Sequence, residues 1–183
     1  MADTNAHTPA AISTADLTPG HWVFDPTRST ISIEHAAMWG LVTAKGVFTE
    51  VSGNAVVPPG APAHGSLQIE AGSIDTRNPK RDTHLRSADF FDAENYPSIT
   101  FNAITAVPNS DGTVAIKGEL TVLDSTRALD FTARASEMTA AAITLTANIP
   151  VNRNDFGMNW NRLGLMKPVT LVTITARFTR QPG

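Results

Sequence analysis

Apolar and polar side chains alternate with a period of two along most of this chain. Residues 29–35 read Ser-Thr-Ile-Ser-Ile-Glu-His. In extended backbone successive side chains point to opposite faces, so Ile31 and Ile33 share one face and Ser32 and Glu34 the other. That is the pattern of a half-buried strand. It recurs over residues 43–51, 54–57, 65–71, 98–106, 113–123, 128–135, 139–151 and 169–180. In the last of these Val172, Ile174, Ala176 and Phe178 face one way, and Thr173, Thr175, Arg177 and Thr179 the other. Turn signals separate the runs: Asp25-Pro26, Pro58-Pro59-Gly60, residues 124–127 and Asp111-Gly112, the last a hairpin signal.

Residues 73–101 break the pattern. They hold a charged helical candidate over 79–87, the pair Phe90-Phe91, and then Asn95-Tyr96-Pro97 before the strand pattern returns. Such a segment suits the end of a barrel, with its charges toward water and its phenylalanines inward. About eight or nine strand candidates and a single helix predict an all-β sandwich or closed barrel. Without a helix layer the sheet must cover its own apolar face, and closure also removes its exposed edges. A barrel of about eight strands is just wide enough for side chains or one small ligand.

Composition narrows the partners. The 183 residues suit one domain. Residues 1–19, rich in Ala, Thr and Pro, are expected to form a flexible N-terminal tail, with the folded domain over 20–183. The formal charge of −3 argues against a nucleic-acid footprint and against an anionic-membrane patch. No apolar run approaches the ~20 residues needed to span a bilayer, so stable membrane insertion is not expected. The N-terminus shows neither a basic n-region nor an apolar h-region, which makes the cytoplasm the expected location. With no cysteine, disulfides, thiolate metal sites and a cysteine nucleophile are excluded.

Candidate chemistry is sparse. No pair among His7, His21, His35, His64 and His84 has the spacing of a metal site, so no metal is expected. The cluster Arg77, Lys80, Arg81, Asp82, Arg86, Asp89 and Asp92 reads as a capped, solvated helix. Asp82 would sit near the helix N-terminus, with Arg86 four residues on. There is no GxSxG, P-loop or GxGxxG. An enzyme acting inside the barrel would need convergent polar groups, for which Ser32, Thr100, Asn102 and Thr121 are the strand-borne candidates, and none of them is activated. The aromatics Phe48, Phe90, Phe91, Phe101, Phe131, Phe156 and Trp160 suit either a core or a pocket lining. Met38, Trp39, Met158 and Met166 lie off the clean strands, where adaptable apolar contacts concentrate.

Several ordered blocks resemble the YceI family of lipocalin-like, polyisoprenoid-binding bacterial proteins. They are Trp22-x-Phe24-Asp25-x-x-x-Ser29, Gly46-x-Phe48 and Ser73-Ile74-Asp75-Thr76, then Arg81-Asp82-x-His84-Leu85 with Asp89-Phe90-Phe91-Asp92. Tyr96-Pro97-x-Ile99-x-Phe101, Gly118-x-Leu120-Thr121 and Arg153-x-Asp155-Phe156-Gly157 complete the set, which spans roughly residues 21–179. Arg28 stands where the family usually has His. The resemblance implies an extended antiparallel, lipocalin-like barrel with one short helical cap. It implies a non-enzymatic protein that binds, and carries or sequesters, a long apolar polyisoprenoid or isoprenoid quinone, with no cofactor beyond that ligand. A homodimer is compatible with such a barrel. The expected ligand-binding residues are Met38, Trp39, Phe48, Leu85, Phe90, Phe91, Phe101, Phe131, Phe156, Met158 and Trp160. Arg81, Asp82, His84, Asp89, Arg153 and Asp155 are expected to hold the cap and its neighbouring loop in place. The competing expectations are an enzyme for a small apolar substrate and a solid barrel acting as an interaction module.

Overall fold

The protein is described from a computed structural model that covers residues 18–37, 42–161, 164 and 166–182. Its strands are β1 (Gly20–Phe24), β2 (Thr30–Ala37), β3 (Val42–Phe48), β4 (Val51–Val57), β5 (Ala63–Glu70), β6 (Ile74–Asp75), β7 (Ser98–Pro108), β8 (Thr113–Val122), β9 (Ser125–Ser136), β10 (Ala142–Asn152) and β11 (Met166–Arg180). One α-helix, α1 (Pro79–Arg86), lies between β6 and β7. The expected tail over 1–19 falls almost wholly outside the described residues.

All pairings are antiparallel, in the order β1-β4-β5-β7-β8-β9-β10-β11, and β11 returns to β1. Eight strands therefore close a barrel, as the alternation and the need to bury edges predicted. The remaining three, β2, β3 and β6, continue from β11. The arrangement follows from the length of β11. At ~3.3 Å per residue its 15 residues run ~50 Å. Its last residues, 178–180, pair with β1, while residues 166–175 pair with β2. The turn at Asp25–Ser29 lets consecutive strands share one long edge. Asp25 N donates to Arg177 O over 2.8 Å, and Arg177 N donates to Ser29 Oγ over 2.9 Å.

Residues 43–51, expected as one strand, are two. Thr49 N donates to Ser73 O, and Glu70 N to Glu50 O, so the chain leaves its pairing with β2 and enters that with β1 and β5. Alternation breaks at this corner: Phe48 faces inward, Thr49 and Glu50 are both exposed, and the inward side resumes at Val51, Ala55 and Val57, so parity shifts by one residue as the partner changes. A second irregularity is a bulge in β7. Gly65 faces Ala103 and Ala63 faces Ala106, so β7 carries one extra residue there. Ala103 and Ala106 both face inward as a result, and Ile104 is left 60% exposed.

The end of the barrel at β1 is plugged. Trp22, 1% exposed, packs with Phe24, Ile143, Ala176 and Phe178, and the Phe24 and Phe178 rings meet edge-on at 5.8 Å. The opposite end carries α1 and the loop after β10. No helix among the described residues is long and apolar enough to cross a membrane.

Candidate functional site

The cap is built on Thr76. Asn78 caps α1 by accepting from Arg81 N, and Pro79 occupies the first turn, where its missing N–H costs nothing. Thr76 Oγ1 donates to Asp82 Oδ1 over 2.6 Å, and Thr76 N donates to the same oxygen over 2.9 Å. Arg81 donates in turn to Thr76 Oγ1 at 2.8 Å and to Thr76 O at 2.9 Å. Asp82 is buried, which corrects the expectation of a solvated helix at this position, while the favourable Arg86 charge four residues on is as expected. The carboxylate turns inward to the strand-end backbone, and Arg86 Nη2 donates to Ile74 O over 2.8 Å. The Thr76 hydrogen bonds hold the Asp82 carboxyl below the usual carboxylate range, with the Arg86 and Arg81 charges adding to them.

After α1, Phe91 N donates to Leu85 O and Ala93 N to Arg86 O, which folds Phe90 and Phe91 beneath the helix. Both rings are buried. Phe91 meets Phe48 edge-on at 5.7 Å. Phe90 lies 5.3 Å from Trp160, and the His84 ring touches both, at 5.0 Å and 4.7 Å. His84 Nε2 also bonds Asp89 Oδ2 at 2.8 Å, just beyond the helix end.

Arg153 organises the facing loop. It is 5% exposed and donates to three backbone carbonyls: Met158 O at 2.5 Å, Trp160 O at 2.8 Å and Lys167 O at 3.3 Å. Burial pushes its pKa below the ordinary arginine value. Its contacts stay within its own loop and β11, so it positions Trp160 without bridging to α1. Asp155, expected to share that role, is exposed.

Beneath the cap lies a cavity of about 400 Å³. That falls in the usual range of small-molecule sites, about 300–1,000 Å³. Its wall is the inward parity of the long strands, among them Ile31, Ile33 and His35 on β2; Ala44, Gly46 and Phe48 on β3; Leu67 and Ile69 on β5; Ile99 and Phe101 on β7; Ile116, Leu120 and Val122 on β8; Leu129, Phe131 and Ala133 on β9; Ile143, Leu145, Ala147 and Ile149 on β10; Val172, Ile174 and Ala176 on β11. Small residues make the space, and neighbours crowd them. A Cβ on Gly46 would come within 2.8 Å of Ile74 and 2.9 Å of Thr76 side-chain atoms, and one on Gly118 within 2.7 Å of the Phe101 ring.

Of the residues expected to meet ligand, Phe48, Leu85, Phe90, Phe91, Phe101, Phe131, Met158 and Trp160 line this cavity, as does Met166. Phe101 and Phe131 pair at 5.5 Å within it. Phe156 does not line it. That ring is 4% exposed and packs in the core cluster with Met158, because the turn over Arg153–Phe156 carries it away from the wall. Met38 and Trp39 lie outside the described residues. None of Ser32, Thr100, Asn102 and Thr121 lines the cavity, since each has the opposite parity to an inward neighbour.

By sequence His35 is weighed only as a metal ligand and Thr170 is not singled out; the cavity wall holds both. Both are inward, and His35 Nδ1 lies 3.0 Å from Thr170 Oγ1. The signal was present: His35 follows Ile31 and Ile33 at period two, and Thr170 precedes Val172. Burial, and then the charge of Arg153, push the His35 pKa below its ordinary value. Among the described residues no group of three or more His, Asp or Glu could hold a metal ion.

A YceI-like domain model matches residues 22–179. The chain belongs to the YceI family. Its YceI domain is similar to UPF0312 proteins, being 28% identical to one from Shewanella baltica over 130 residues, 69% of this chain and 65% of that protein. A Vibrio cholerae relative is 34% identical over 85 residues, 45% of each chain, so the matched stretch spans about half the length of the curated relatives. Among solved structures the domain resembles BcnA of Burkholderia cenocepacia, with TM-score 0.76 and 19% identity over 84% of this chain and 98% of that one. It also resembles a polyisoprenoid binding domain from Saccharophagus degradans, with TM-score 0.72 and 14% identity over 87% and 98%. At these identities the structural likeness speaks for the fold alone.

Proposed function

We propose that this YceI domain binds, and carries or sequesters, one long apolar isoprenoid-type lipid inside its barrel, without catalysis. The observation that carries the reading is the apolar cavity of about 400 Å³ within a closed barrel, roofed by Phe90, Phe91 and Trp160. Each Å² of apolar ligand surface withdrawn from water there is worth about 25 cal/mol, so an extended hydrocarbon chain gains affinity along its whole length. The solved relative from Saccharophagus degradans, described as a polyisoprenoid binding domain, supports this class of ligand. Entry and release need the segment over α1, Phe90 and Phe91 to swing from the barrel mouth. The cavity also weighs against a solid barrel serving as an interaction module.

Mass spectrometry of lipid extracted from natively purified protein tests the reading. A stoichiometric prenyl lipid is expected. Protein that purifies empty and binds no added isoprenoid quinone sinks it.

A second reading draws on His35. A histidine with a lowered pKa, bonded to the Thr170 hydroxyl inside the cavity, is the start of a base–nucleophile pair. It lacks the orienting acid on its other ring nitrogen, since His35 Nε2 has no hydrogen-bond partner among the described residues. Ester hydrolysis that is lost in Thr170→Val would favour this reading over simple binding.

A further inference from the structure

Five polar residues of the cavity wall, His35, Arg81, His84, Arg153 and Thr170, belong to the capped end; Asn54, His64 and Ser66 border the cavity from β4 and β5, and Trp22 and Phe178 close the opposite end. Two of the five at the capped end have unspent hydrogen-bonding capacity. His35 Nε2 is buried in the wall without a partner among the described residues. An orphaned polar atom in such a place costs stability unless something meets it. Arg153 donates through Nε and Nη1 to neutral carbonyls only. Among the described residues its Nη2 makes no hydrogen bond, and no carboxylate pairs with it. A buried guanidinium is always charged and seeks an electron-rich partner.

We propose that His35 Nε2 and Arg153 Nη2 form a two-donor site for an oxygen acceptor on the head group of the bound lipid, seating that head under the cap while the chain runs toward Trp22. This rests on the lipid-binding reading above. Thr170 sets the histidine. Its hydroxyl can donate to Nδ1, which leaves the ring proton on the unpartnered Nε2. Both groups then donate, so they select a phosphate or a quinone carbonyl over a bare hydrocarbon. A charge-assisted bond from arginine favours the oxyanion of the two.

Three probes of equal chain length separate the cases: a tetraprenyl monophosphate, a tetraprenyl quinone and a tetraprenyl hydrocarbon, each titrated against tryptophan fluorescence of the delipidated full chain. The wild type is expected to bind the oxygenated probes at least about tenfold more tightly than the hydrocarbon. The His35→Phe variant keeps the ring and removes the donor. It is expected to lose about tenfold in affinity for the oxygenated probes while binding the hydrocarbon within about twofold of wild type. The Arg153→Lys variant should weaken the phosphate in the same direction, and His35→Phe decides if Arg153→Lys fails to fold. A larger loss for phosphate than for quinone in His35→Phe or Arg153→Lys assigns an anionic head; equal losses assign a neutral carbonyl. Unchanged oxygenated binding in His35→Phe, or an equal fall for the hydrocarbon, overturns the site while leaving lipid binding intact. Failure of the wild type to bind any probe overturns the lipid reading itself and the site with it.

Discussion

Thr76 and Asp82 lock the cap to the barrel: the Thr76 hydroxyl and backbone N–H both donate to one buried Asp82 oxygen, at 2.6 Å and 2.9 Å. Asp82→Ala would strand both donors beneath α1. It is expected to lower stability by about 1–3 kcal/mol and to raise amide exchange selectively over residues 76–92. Urea denaturation with exchange mass spectrometry checks this. Uniform exchange changes across the barrel would contradict a local lock.

The same pair has a pH signature. The folded-state pKa of Asp82 is lowered from 3.8, so the stability it contributes is present above that value and is lost as pH falls through the lowered folded pKa. His35 titrates in a separate window. Its folded pKa lies below 6.5, because burial and Arg153 disfavour the imidazolium, so stability is full above 6.5 and declines as pH drops toward the folded value. Melting temperatures of wild type and His35→Phe, compared between pH 7 and 5, are expected to diverge, with the wild type falling further. Parallel curves would remove His35 as the cause.

Phe90 and Phe91 are adjacent but differently placed. Phe91 sits in the core cluster against Phe48, while Phe90 packs on His84 and Trp160 at the roof. Phe91→Ala is expected to cost about 3–5 kcal/mol in chemical denaturation. Phe90→Ala should cost less stability and more retention of bound lipid through a purification. The reverse ranking would make Phe90 the core residue.

Filling the barrel tests whether its length is used. Ala147 is buried on β10 and lines the cavity. Ala147→Phe is expected to reduce affinity for long prenyl probes far more than for short ones, at about 1–3 kcal/mol of overpacking cost. Isothermal titration with a chain-length series reads this directly. Equal affinity loss at every length would point to general damage.

What the sequence determined by itself was parity and class. Period-two alternation assigns Ile31 and Ile33, or Val172 to Phe178, to one face, and a chain with one helix must cover that face with its own sheet. The cap was legible for the same reason, since the charged helical run over 79–87 and the pair Phe90-Phe91 interrupt the alternation. Only the tertiary structure decided which faces meet. That β11 serves β1 and β2 in turn, and that β3 passes into β4 at Thr49-Glu50, are matters of partner choice, which alternation does not encode. The β7 bulge resets parity within one strand, so Ala106 turns inward as Ala103 does. Asp82 reads as a surface charge until the chain brings Thr76 over it. Arg153 and His35 lie more than a hundred residues apart, and their joint place on the cavity wall arises only when β2 docks on β11.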